Sequence, residues 1–242
     1  MRYRLVCLDA GFTVLSPVRT LSDALRGVLA QHGHEVSDEE LLRAWEVANR
    51  WFSEEYHRPT NDTWADDVLI DATWRRYHAV MLAELGLEDL HHRLIDTILA
   101  AQYAPDSWEL YPDVRPTVSE LRAAGLKLGI VSDWGSNLLP IIEGVGMAPD
   151  LDFVLASGAV RLSKRDPAIF RLAAERAGVD PGEALMVGDT ISADVEGAQA
   201  AGMDGILLRR PEWDLDGGHR PAPPGMRVIA SLAELPPIVL AG

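Results

Sequence analysis

The chain has a single cysteine, Cys7, among 242 residues, so no disulfide can form within it and a reducing compartment is the expectation. Positive charge is also scarce. Twenty-two basic residues stand against 37 acidic ones, a formal net charge of −15, which argues against nonspecific binding to nucleic acid or to an anionic membrane surface. No apolar run approaches the roughly 20 residues of a membrane span. The first apolar stretch is broken by Asp9, too early for the apolar region of a secretory signal, so a cytoplasmic location is expected. Lysine is nearly absent: Lys127 and Lys164 are the only two, and the other twenty basic residues are arginine. Where mere positive charge is needed this chain uses arginine, so each retained lysine points to a specific use.

At 48% hydrophobic the sequence can bury a large core, or a core domain plus a smaller one. Short apolar runs ending in small or acidic residues recur: YRLVCLD (3–9), LKLGIVSD (126–133), DFVLAS (152–157), ALMVGD (184–189) and GILLRR (205–210). Each has the length and aliphatic content of a strand buried on both faces. Between the later runs lie helical patterns, PTVSELRAAG and PAIFRLAAERAG, that open on proline and close on glycine. This alternation predicts an α/β fold, a Rossmann-like doubly wound parallel sheet. Residues 17–106 break the alternation with four amphipathic helical stretches and a capping signal, Ser37 with Glu40. We therefore expect a helical insert over 17–106, acting as a lid on a core formed by 1–16 and 107–242, with hinges near Pro17 and Pro105. Residues 211–225 read as a proline- and glycine-rich loop ahead of a last strand, MRVIA, and a short helix. The tryptophans of the insert, Trp45, Trp51, Trp64 and Trp74, have helical spacing and are expected to pack. The His91–His92 pair lacks metal-ligand spacing and reads as solvated.

In an open parallel sheet ligands bind beyond the carboxyl ends of the strands. The predicted strands deliver Asp9, then Ser132 with Asp133, then Asp189 with Asp194, and Lys164 arrives at the start of a helix. Three gathered carboxylates repel one another unless a cation neutralises them. Mg²⁺ suits such oxygen ligands and is commonly shared with a phosphate, whose other oxygens Ser132, Lys164 and free backbone N–H groups can hold. A carboxylate attacking phosphorus forms an aspartyl-phosphate.

The stretches LDAGFT, IVSD, SKRDPAIF and VGDTISAD resemble, in order and spacing, the four motifs of the haloacid dehalogenase (HAD) superfamily. The likeness spans the whole chain, and the insert is similar to the C1-type helical cap of subfamily I. The resemblance implies that Asp9 is the nucleophile and a metal ligand, with the Gly11 carbonyl and Asp189 as further ligands. It implies that Thr13 orients the first loop, Ser132 holds the transferring phosphoryl and Lys164 neutralises charge on Asp9 and phosphate. Asp194 then acts mainly around the metal, and Asp133 and Trp134 line the substrate site.

Phosphatases of the superfamily typically carry a second aspartate two residues after the nucleophile, as general acid and base. Here that residue is Gly11. Its loss implies slow hydrolysis or restriction to good leaving groups, since such catalysis is worth about 10²–10⁴-fold. Either the glycine serves the backbone, through a positive φ, or another group takes the role. The family's phosphonatases need a cap lysine, and 17–106 contains none; its pumps need membrane helices. Its dehalogenases use a tyrosine-containing first motif and no metal, against which the Gly188–Asp189 pair speaks. The expected activity is a Mg²⁺-dependent phosphatase of a small phosphorylated metabolite, monomeric or homodimeric. A 2-haloacid dehalogenase and a weakly active or non-catalytic binding protein are the alternatives.

Overall fold

A computed structural model describes residues 2–56, 58, 63–211 and 221–241. Residues 212–220, within the predicted proline- and glycine-rich loop, lie outside the described residues. The apolar runs form a parallel sheet of β1 (Leu5–Leu8), β4 (Lys127–Ser132), β5 (Phe153–Ala156), β6 (Ala184–Gly188), β7 (Asp204–Leu208) and β8 (Val228–Ile229). Their order is β5-β4-β1-β6-β7-β8, all parallel, as doubly wound sheets require. Alternation along β1 sorts the core into two layers. Val6 and Leu8 face a cluster with Leu128, Ile130, Leu185 and Val187, whereas Leu5 and Cys7 face one with Val131, Phe170 and Met186. Cys7 is fully buried, and burial pushes its thiol up to about 12, so it behaves as a small hydrophobe.

Helices α5 (Val114–Ala123), α6 (Leu138–Gly144), α7 (Ser157–Val160), α8 (Pro167–Ala177), α9 (Glu196–Ala200) and α10 (Leu235–Leu240) complete this part. Helix α8 shows how closely the local chemistry follows the sequence. Asp166 caps it by accepting from the Ala168 N–H at 2.9 Å, Pro167 opens it, and Gly178 closes it in the left-handed region at φ 63°.

Between β1 and β4 the chain forms α1 (Leu21–Gln31), α2 (Asp38–Tyr56), α3 (Asp67–Glu84) and α4 (His91–Tyr103). The box ahead of α2 closes reciprocally: the Glu40 N–H donates to Ser37 Oγ at 3.3 Å, and the Ser37 N–H to Glu40 Oε2 at 2.8 Å. These helices bury a cluster of their own around Leu25, Leu41, Tyr77, Met81 and Leu94, onto which Trp45, Trp51 and Trp74 pack. Where the chain leaves and rejoins the main sheet it forms a two-stranded antiparallel ribbon, β2 (Leu15–Pro17) with β3 (Trp108–Leu110). Three-residue strands, one of them ending in proline, carry too little periodicity to be read from sequence.

Within this helical cluster His78 is 1% exposed, and its Nε2 donates to Gln102 Oε1 at 2.7 Å. Among the described residues its Nδ1 has no hydrogen-bond partner, so protonation would bury an unpaired charge, and burial holds the imidazole down at about 4. The unfolded chain takes up this proton below its ordinary 6.5 while the folded state refuses it. Stability is therefore fully present above about pH 6.5 and is lost as pH falls, by about 2 kcal/mol at pH 5. Urea unfolding of the wild type should weaken more steeply on acidification than that of His78→Gln; parallel declines would contradict the assignment.

Candidate active site

The strand register fixes the site. Leu8, the last residue of β1, pairs with Ile130 on one side and Val187 on the other, and β4 and β6 run two and one residues further, so their carboxyl ends share one edge of the sheet. Asp9 follows β1 and keeps the ladder by donating its N–H to the Val187 carbonyl at 2.9 Å. Ser132 is the last residue of β4 and Asp189 the first after β6. The chain then turns sharply: the Val14 and Leu15 N–H groups both donate to the Ala10 carbonyl, at 2.9 and 2.8 Å, and Phe12 takes a left-handed φ of 56°. Gly11 itself lies outside that region, so the positive-φ reason for a glycine does not hold here.

Past β6 the chain makes a π-helical turn, Ile191–Val195, that swings Asp194 back under the strand end. Asp194 is fully buried; its Oδ2 accepts from the Thr190 N–H at 2.9 Å and its Oδ1 from Lys164 Nζ at 2.6 Å. A Cβ on Gly188 would stand 2.2 Å from the Asp194 carboxyl carbon, so only glycine permits this approach. Lys164, 3% exposed, also donates to Asp9 Oδ1 at 2.6 Å. Carboxylate oxygens of Asp9, Asp189 and Asp194 all lie within 4.8 Å of one another.

Charge follows from this crowding. Burial, together with the Asp9 and Asp194 charges, holds the Asp189 carboxyl well above the usual carboxylate range. Burial also raises Asp194, to about 7, with Asp9 adding to the rise and Lys164 opposing it. Burial works against the Lys164 charge, but Asp194 and Asp9 outweigh it and hold the ammonium well above its ordinary value. One lysine thus leaves three carboxylates under-compensated. A hard, oxygen-seeking divalent cation fits this donor set.

The remaining predicted residues are gathered here as well. Asp133 Oδ1 accepts from the Lys164 N–H at 2.8 Å and its Oδ2 from the Tyr56 hydroxyl at 3.4 Å. Burial raises its carboxyl, with Lys164 opposing the shift. Ser132 is buried at 2% exposure, and Thr13 is fully buried, its Oγ1 without a hydrogen-bond partner among the described residues. What Thr13 supplies to the loop is its carbonyl, which accepts from Arg210 Nη2 at 2.7 Å and Nε at 3.3 Å. The Trp134 ring lies against Gly11 and stacks edge-on against Trp108 at 5.0 Å.

Three residues were not anticipated. Arg210 ties the Asp9 loop to Asp113, with contacts of 2.9 and 3.1 Å, and lies 3.6 Å over the Tyr111 ring. It stands just past β7, where the strand-end rule could have found it in GILLRR. Arg165, beside Lys164, donates to the carbonyls of Tyr56 and Arg58. Tyr56, at the end of α2, brings its hydroxyl to Asp133 from the helical insert. No local pattern marks the role of Tyr56, because its contacts with Asp133 and Arg165 span 77 and 109 residues.

Comparison with known proteins agrees with this geometry. The chain is 30% identical over 243 residues to a mouse (Mus musculus) protein called haloacid dehalogenase-like hydrolase domain-containing protein 3, covering 98% of this chain and 94% of that one. Among solved structures it resembles a HAD phosphatase from Thermococcus onnurineus, with TM-score 0.63 and 28% identity over 99% of this chain and 98% of that chain. It also resembles a 2-haloacid dehalogenase from Pseudomonas syringae, with TM-score 0.62 and 27% identity over the same shares. Over residues 4–202 the sequence matches the haloacid dehalogenase-like hydrolases, and the chain belongs to that family of hydrolases.

Proposed function

We propose that the protein is a Mg²⁺-dependent phosphatase of a small phosphorylated metabolite, working through an aspartyl-phosphate on Asp9. The observation that carries this reading is the convergence of Asp9, Asp189 and Asp194 within 4.8 Å, with Lys164 bonded to two of them. Asp9, Asp189 and the Gly11 carbonyl hold the cation, and Asp194, whose oxygens already serve Lys164 and Thr190, positions the lysine beside it. When bound, the cation supplies positive charge against the carboxylates and the phosphoryl oxygens. Lys164 fixes one Asp9 oxygen and leaves the other to attack phosphorus, and Ser132 donates to a phosphoryl oxygen. Residues 17–106 act as the cap, held over the site by Tyr56 and Arg165.

Two assays test this. Adding Mg²⁺ to metal-free protein should raise its unfolding free energy, by about 2.7 kcal/mol at a hundredfold excess over Kd, and Asp189→Asn should remove most of the gain. Phosphate release from p-nitrophenyl phosphate should require Mg²⁺. No turnover above an Asp9→Asn control across a broad metabolite panel would contradict the phosphatase reading. A dehalogenase reading is favoured by one observation, the absence of an acid or base at Gly11. Halide release from 2-haloacids that EDTA leaves unchanged would support it.

A further inference from the structure

Gly11 is the point where this chain departs from the phosphatase pattern, and the structure shows what occupies the space. A Cβ built on Gly11 would stand 3.2 Å from Cζ3 and 4.0 Å from Cε3 of Trp134. One methyl would force the ring to yield by a few tenths of an ångström; a carboxylate extending further in that direction meets the indole. The indole is half-buried and braced on one side. Its ring packs on Trp108, itself 9% exposed, with centroids 5.0 Å apart and planes at 70°. The backbone that carries the ring is pinned as well: the Trp134 main-chain N–H donates to Ser157 Oγ at 3.0 Å, and its main-chain carbonyl accepts from the Gly158 N–H at 3.0 Å.

The neighbouring titratable groups are committed elsewhere. Asp133 holds the Lys164 N–H and the Tyr56 hydroxyl, Asp194 holds Thr190 and Lys164, and Lys164 spans Asp9 and Asp194. We infer, resting on the phosphatase reading above, that Trp134 fills the acid/base position and selects an aryl phosphate, whose phenolate stacks on the indole and leaves without a proton. In the first step Asp9 Oδ attacks phosphorus, the P–O bond to the aryl group breaks, and its electron pair leaves with the phenolate. In the second, water attacks the phosphorus of the aspartyl-phosphate, freeing Asp9 and inorganic phosphate, with the water's proton passing to solvent.

The test compares aryl phosphates spanning leaving groups up to phenol, of pKa about 10, with an alkyl phosphate whose alcohol lies near water at about 16. Wild-type kcat/KM should favour the aryl esters by at least about 10²-fold, the low end of what a missing general acid costs. Calorimetry with the inert probes phenylphosphonate and methylphosphonate should show roughly tenfold tighter binding of the phenyl compound, lost in Trp134→Ala and kept in Trp134→Phe. Gly11→Asp alone should leave alkyl turnover low, whereas Gly11→Asp with Trp134→Ala should raise it at least tenfold. Equal wild-type turnover of aryl and alkyl esters overturns the inference while the phosphatase reading stands. So does an undiminished phenyl preference in Trp134→Ala, or full alkyl turnover from Gly11→Asp alone. Absence of phosphate release from every ester overturns the phosphatase reading, and the inference with it.

Discussion

Lys164→Met is expected to destabilise the protein by about 3–5 kcal/mol, the cost of breaking a buried ion pair by removing one partner. Lys164 Nζ lies 2.6 Å from an oxygen of both Asp9 and Asp194, and the three side chains are 3%, 6% and 0% exposed. Without the ammonium, two buried carboxylates face each other and Asp189 with no fixed cation between them. On the phosphatase reading proposed above, activity should fall too, by at least about 10²-fold, because there the lysine stabilises charge where it develops. Lys164→Arg keeps the charge but should rescue neither property, since a planar fork cannot replace a compact ammonium between two acceptors. The chain's choice of lysine here, against twenty arginines elsewhere, is consistent with that. Urea unfolding and phosphate release measure the two effects. A loss under about 1 kcal/mol in Lys164→Met, or near-normal activity in Lys164→Arg, would contradict the account.

Asp9→Asn is expected to separate activity from stability. Turnover should fall by at least about 10⁴-fold, as it does when a nucleophile is removed from a preorganised site. The metal-free protein should be no less stable than the wild type. Asp9 is 5% exposed, and its charge helps to hold Asp189 and Asp194 above their ordinary range, so its neutralisation relieves repulsion while Lys164 keeps Asp194 as a partner. Stored repulsion of this kind is the usual trade of stability for function at an active site. Thermal unfolding of the metal-free proteins beside an activity assay checks both halves. A variant that is clearly destabilised would mean that the Asp9–Lys164 bond outweighs the crowding.

The parts of this site legible in the sequence are those encoded locally. Each buried strand announces itself as a short aliphatic run, and in a parallel sheet the residue that follows points to the ligand side. The strand-end positions of Asp9, Ser132 and Asp189 are legible that way. The place of Lys164 is legible because α8 starts just after it with a cap and a proline. What was not legible depends on contacts between distant segments. Arg210 reaches Thr13 across 197 residues, and Tyr56 reaches Asp133 across 77. The β2–β3 ribbon is too short to show a period. The reason for Gly11 was likewise hidden, because its φ is ordinary and the answer is a ring from another loop.

The central claim is that Asp9 carries the phosphoryl group. Rapid acid quench of wild-type protein mixed with Mg²⁺ and an aryl phosphate, followed by peptide mapping by mass spectrometry, tests it directly. The account predicts one added phosphoryl group on Asp9, within the peptide that includes LVCLDAGFTV, at a level that rises with substrate and vanishes in Asp9→Asn. Phosphate release with no phosphoryl group on Asp9, or an adduct that persists in Asp9→Asn, would contradict it.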